Sequence, residues 1–340
     1  MPSPETRYGS DENGLICGFV MRPDASATEL DSASAAEWIA KRDTGGDIGS
    51  GADFLWLHFN LGHTNTEKWL VRHAALPEKF FEALRDGSHS TRIELVESSL
   101  LAIVNDVHYD FSFEPSEIST LWLCVNQHIV ITARRRPLRS IDKLRIAVKA
   151  GEIIRSPLAL LIHLLRDQAD VLVSIVRGVT TRIDQVEDKL LEGKLGLTRA
   201  GLGSLRRLLV RLQRLLAPEP ASLFRLLQHP PVWIDAADAM ELRQSTEEFS
   251  VVLRDMAALQ ERIKLLQEEI AAHVNEENNR SLYVLTIVTV LALPINIVAG
   301  LLGMNVGGIP LAQHEQGFWI VLVLIISFTG LAAWWAFRRK

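Results

Sequence analysis

Cysteine is nearly absent. The 340 residues hold two, Cys17 and Cys124, far apart and with no CxxC partner. That excludes a disulfide framework and a cysteine zinc site, and leaves both as small buried apolar residues. A basic surplus is absent too: 36 Lys and Arg stand against 41 Asp and Glu, a net charge of −5, so no nucleic-acid partner is expected. The start, Met1-Pro2-Ser3-Pro4-Glu5, lacks a basic region and an apolar run. No cleaved signal peptide is expected, and the first part of the chain is expected in the cytoplasm. No phosphate-binding glycine loop, nucleophile elbow or metal-hydrolase motif is present, which argues against an enzyme and implies no organic cofactor. The ten histidines include no HxxxH or HExxH pair.

Charge is missing from two long stretches near the C-terminus. Residues 281–313 contain no Asp, Glu, Lys or Arg, and neither do residues 317–337. Each offers about the 20 apolar residues that a bilayer crossing requires. Arg280 precedes the first, Arg338-Arg339-Lys340 follow the second, and the loop between them has no Lys or Arg. The positive-inside rule therefore puts both termini in the cytoplasm. Trp319, Trp334 and Trp335 lie near the ends of the second stretch, where interfacial aromatics belong. Proline and glycine are absent from 235 to 293, while apolar residues recur at helical spacing through Val251, Leu259, Ile263, Leu266 and Ile270. This is one long helix, on the order of 90 Å, running from a polar half into the first apolar stretch.

What precedes it mixes strands and helices. Short branched and aromatic runs at 15–21, 54–59, 91–96, 100–104, 121–125 and 129–133 read as strands, and 64–73 and 77–85 as helices. Close connections such as Asn126-Gln127 favour a mixed or antiparallel sheet with helices packed on it. Residues 41–51 read as a glycine-rich loop. Ser156-Pro157 starts a helix, with serine as N-cap and proline in the first turn. Gly193 and Gly196 break the helical pattern. Leu202, Leu205, Leu209, Leu212 and Leu216 share one face of a further helix, with Arg206, Arg207, Arg211 and Arg214 off that face, and Pro218 and Pro220 end it. The expected architecture is an α+β cytoplasmic domain (1–150), a cytoplasmic helical region (151–234), a stalk helix (235–280), a first membrane span (281–305), an external loop (306–317) and a second span (318–337).

Two helices cannot enclose a water-filled pore, but an oligomer can. Stepping by three and four from Asn279 gives Leu282, Thr286, Thr289, Leu293, Asn296 and Gly300. Apart from Asn305, every strongly polar side chain of the span lies on this line, whereas the second span carries only Ser327 and Thr329. An Asn in lipid must face protein or water. The stripe reads either as a pore lining, with Leu282 and Leu293 as apolar constrictions, or as a helix-packing seam. His314 and Glu315 in the loop could draw cations to an outer mouth.

Gly303-Met304-Asn305 closes the first span, and here the chain resembles the CorA superfamily of divalent cation transporters. The resemblance extends to two C-terminal spans, a long helix leading into the first, and an N-terminal α/β domain, so it covers nearly the whole chain. It implies a homopentameric funnel in a bacterial inner membrane, with the first span lining the pore and Gly303, Met304 and Asn305 at its mouth. Leu302 stands where many magnesium-carrying members have tyrosine. The loop run Gly307-Gly308-Ile309-Pro310 resembles the ZntB-like branch, which implies Zn2+ as the transported ion, taken up with protons, and Mg2+, Co2+, Ni2+ and Cd2+ as further divalent cargo. The residues themselves supply no tetrahedral zinc ligand set and no carboxylate or histidine within either span. A proton path would then use His273, Glu276 and Glu277 inside, or His314 and Glu315 outside. A broad divalent or magnesium channel, a membrane-anchored sensor and a tethered enzyme are the alternatives.

Overall fold

The computed structural model describes residues 9–43, 53–86, 91–114, 117–192, 198–304, 308, 310–311 and 314–338. Most of the 41–51 loop, the breaks at Gly193 and Gly196, and Asn305, Gly307 and Ile309 lie outside the described residues. The chain divides into two compact units, Met1–Leu266 and Gln267–Lys340.

The first unit is built on a seven-stranded sheet. Its strands are β1 (Leu15–Arg22), β2 (Ala25–Leu30), β3 (Phe54–Asn60), β4 (Arg92–Val96), β5 (Ser99–Val107), β6 (Ile118–Val125) and β7 (Ile129–Arg134), in the order β2-β1-β3-β7-β6-β5-β4. Every neighbouring pair is antiparallel except β3 with β7. Both faces are covered. Alternation along β3 sends Phe54 and Trp56 to one face and Leu55, Leu57 and Phe59 to the other. Helices α1 (Ser32–Asp43), α2 (Thr66–His73) and α3 (Glu78–Arg85) cover the second face. The first face takes α4 (Arg139–Lys149), the start of α5 (Pro157–Leu191) and α7 (Pro218–Gln228).

Local chemistry sets the helix starts. Ser156 accepts a hydrogen bond from the Ala159 N–H at 2.9 Å, with Pro157 in the first turn, as the sequence predicts. The Ser156 hydroxyl also donates to Asp238, which fastens this cap to the first turn of α8 (Ala236–Leu302). Arg262 of α8 donates to Glu187 and Asp184 of α5. On α6 (Thr198–Leu216) the predicted leucine stripe is buried and the four arginines are exposed. Cys17 and Cys124 are buried free thiols, and burial pushes each up to about 12.

Three elements differ from expectation. Strand β2 and helix α1 are additional, and α1 takes Lys41–Asp43 out of the expected loop. Pro218 ends α6 and also begins α7, because a proline at the first helical position gives up only an N–H that would be unpaired anyway.

The second unit holds the end of α8 and helix α9 (Gly317–Arg338). Helix α8 is long and apolar enough to cross a membrane, and its apolar window is wholly unburied. A shorter apolar stretch, Gly317–Ala332, follows in α9. So large an exposed apolar surface requires lipid or other copies of the chain to cover it.

Candidate ion-conduction surface

All seven stripe residues lie on α8, and all are exposed. At 3.6 residues per turn, Asn279, Leu282, Thr286, Thr289, Leu293, Asn296 and Gly300 fall within a sector of about 100°. The face of α8 that meets α9 is a different one. An apolar groove of about 490 Å3 runs between Pro294, Ile295, Val298 and Leu302 on α8 and Val321, Leu324 and Phe328 on α9. The centre of that face is roughly 150° from the centre of the stripe. Within this unit, α9 therefore occupies the side of α8 away from the stripe.

The hydroxyls on the stripe have fixed roles. Thr286 donates to the Leu282 carbonyl and Thr289 to the Leu285 carbonyl, each at 2.8 Å. With its proton committed to the helix, each oxygen has only lone pairs left to present outward. Lone pairs, together with the amide oxygens of Asn279 and Asn296, suit a cation or its hydration water. Thr329 of α9 bonds the Ile325 carbonyl in the same way but lines the apolar groove.

Helix α8 ends at Leu302, and Gly303 and Met304 follow it in a turn and a bend. The Gly303 N–H caps the Ala299 carbonyl at 2.9 Å, and a Cβ on Gly303 would lie 3.1 Å from the same oxygen. Glycine is thus the residue that closes the helix without crowding. Met304 is exposed. His314 and Glu315 are exposed in the turn that leads into α9, with His314 Nδ1 accepting the Gln316 N–H at 3.2 Å. His273, Glu276 and Glu277 are exposed on α8 but point away from the stripe sector. Among the described residues, no three His, Cys, Asp or Glu side chains gather as a metal site.

Sequence reasoning stopped at Asn279 because the membrane stretch stops there. The same line continues back through Asn275 and Glu268, both exposed. Glu268 is the first charged group that it reaches, and following the three-four spacing beyond the apolar window would have found it.

The family model described as CorA-like Mg2+ transporter protein matches residues 51–339. The chain belongs to this family. CorA-like proteins are ion transporters, so this one is a divalent cation transporter and not an enzyme. It is 31% identical over 334 residues to the divalent cation transporter CmaX of Pseudomonas aeruginosa, covering 97% of each chain. It is 24% identical over 285 residues to the zinc transport protein ZntB of Pectobacterium carotovorum, covering 84% of this chain and 87% of that one. Among solved structures, full-length CmaX superposes with a TM-score of 0.78 at 28% identity, covering 97% of this chain and 99% of that one. The CorA magnesium transporter of Methanocaldococcus jannaschii superposes at 0.74 and 18% identity, covering 95% and 98%, a likeness of fold. These relatives carry names for zinc, for magnesium and for divalent cations in general, so likeness fixes the charge of the cargo and not the element.

Proposed function

We propose that copies of this chain assemble as a homopentamer in a bacterial inner membrane, with α8 innermost and its stripe facing the axis. The observation that carries this reading is the placement of α9 on the opposite side of α8, which leaves the stripe for partner copies. Rings of Thr and Asn oxygens would hold a divalent cation by its water shell, and Leu282 and Leu293 would close the path by dewetting. Gly303, Met304 and Asn305 would form the outer mouth, with His314 and Glu315 drawing cations toward it. Both termini would then lie in the cytoplasm, as the basic residues at 280 and 338–340 favour.

The cargo that we propose is Zn2+, taken up with protons. The Gly307-Gly308-Ile309-Pro310 run and the ZntB relatives support it. A second reading, a channel passing Mg2+ and other divalent ions, is favoured by a specific observation: the stripe has no Cys, His or carboxylate from Asn279 to Gly300, and soft zinc selection normally uses such ligands. Zinc and magnesium flux into proteoliposomes, with and without an inward proton gradient, separates the two. Gradient-enhanced zinc flux that falls in Asn296→Val supports zinc–proton uptake through the stripe. Gradient-independent flux, with magnesium equal or faster, replaces it with the channel.

A further inference from the structure

At the end of the sheet where β3 and β7 begin, the first unit has a cavity of about 450 Å3. Its walls come from α1, the turn after α2, the β4–β5 and β6–β7 turns, and Trp233, which stands just ahead of α8. This volume is in the usual range for small-molecule sites.

Three polar side chains on its walls, Arg42, Asn126 and His128, present donors. The Arg42 guanidinium lies 5.2 Å from the centre of the Trp38 ring, and one of its nitrogens donates to the Asp53 carbonyl at 3.3 Å. A second nitrogen contacts His128 Nδ1. A guanidinium only donates, so Nδ1 must accept, and the ring proton of a neutral imidazole then sits on Nε2. Burial and the Arg42 charge both hold His128 below the usual histidine range, which keeps it neutral. The Asn126 side-chain oxygen accepts the backbone N–H groups of His128 at 2.9 Å and Ile129 at 2.8 Å. What Asn126 has left to offer is its NH2. Among the described residues no carboxylate lies within ion-pairing distance of Arg42, and no Asp or Glu lines the cavity.

Trp233, Ile39, Ile129, Ala74 and Ala75 add aromatic and apolar lining. Trp233 Nε1 donates to the Ser98 carbonyl at 3.0 Å, which fixes the plane of the indole. At the rim, Ala75 has a φ of 42°, a strained backbone for a residue with a side chain, and such strain clusters at ligand clamps. A bare phosphate would use the Arg42 corner and leave the indole wall empty. A neutral ring would leave Arg42 without a counter-charge. A ring that carries a phosphate satisfies both halves.

We propose that this cavity binds a nucleotide, with its phosphate against Arg42, Asn126 and His128 and its base on the Trp233 indole. Because Trp233 directly precedes α8, an occupant would tie the β6–β7 turn to the segment that starts the long helix. This site is separate from the stripe and does not depend on how ions pass.

The test is calorimetric titration of the full-length protein in detergent, with EDTA present, using AMP, adenosine and inorganic phosphate as probes. One AMP per chain is expected, with adenosine and phosphate each at least about tenfold weaker. Arg42→Gln should weaken AMP at least about tenfold, and Gln127→Ala, an exposed position that leaves the fold intact, should weaken it measurably. Hydrogen exchange at 126–129 and 232–235 should slow when AMP binds. No AMP binding to the folded protein overturns the proposal, as does binding that both variants leave unchanged.

Discussion

Glu219, at the start of α7, places its Oε2 3.4 Å from the Gln168 Nε2 of α5, and neither side chain is exposed to solvent. The same amide nitrogen donates to the Asn105 carbonyl of β5 at 2.8 Å. Among the described residues Glu219 Oε1 has no hydrogen-bond partner, and the charge of Asp106 disfavours its ionised form. Burial is the main cause that pushes Glu219 up from 4.5 to about 8, with Asp106 adding to it. Asp106 itself, which accepts the N–H groups of Val107 and Ser140, is pushed by burial up to about 6.

A carboxyl whose folded pKa is raised holds its proton more tightly when folded. The stability it confers is full below 4.5 and is lost as pH rises through about 8. Asp106 acts with the same sign between 3.8 and about 6. The first unit is therefore expected to melt at lower temperature at pH 9 than at pH 6. Glu219→Gln, which cannot ionise, should remove much of that difference, worth on the order of a few kcal/mol. Melting curves at the two pH values check this, and an equal pH dependence in the variant would contradict it.

Gly178 of α5 is required by the ring that lies against it. A Cβ there would come within 2.6 Å of Phe113 Cζ. Phe113 holds a φ of 73°, and Arg182 sits 4.0 Å above its ring, so the phenyl has little room to retreat. Gly178→Ala is expected to destabilise by about 1–3 kcal/mol, read as a lower melting temperature. In the double variant with Phe113→Ala, the additional cost of the new methyl should vanish.

Gly317 starts α9 against the loop. A Cβ would fall 2.4 Å from the Leu311 carbonyl oxygen, and Leu311 already has a φ of 65°. Gly317→Ala must therefore move the loop that carries His314 and Glu315. Reduced cation flux in proteoliposomes, from protein that still extracts and migrates as the wild type does, is the expected result.

Much of this architecture was legible because the chain marks it with chemistry that acts locally. Ser156-Pro157 announces a cap, and two charge-free stretches announce lipid. The misses have equally local causes. Strand β2, Ala25-Ser26-Ala27-Thr28-Glu29-Leu30, is a polar edge strand with one neighbour, so it lacks the apolar alternation of a half-buried strand. Helix α7 was hidden because Pro218 reads equally well as a stop and as a start. The Glu219–Gln168–Asp106 cluster and the Arg42–His128 contact join residues distant in the chain, which no spacing rule links. For the stripe, spacing identified the residues but left pore and packing seam open. The position of α9, a tertiary fact, weighs toward the pore.

The most direct test uses single cysteines on α8, since Cys17 and Cys124 are buried and inert by comparison. Thr289→Cys and Asn296→Cys lie on the stripe, and Val298→Cys lies on the face toward α9. Divalent cation flux into proteoliposomes would be measured before and after a charged methanethiosulfonate reagent. Inhibition at 289 and 296 with none at 298 is predicted. Inhibition at 298 alone would contradict the placement of the ion path on this stripe.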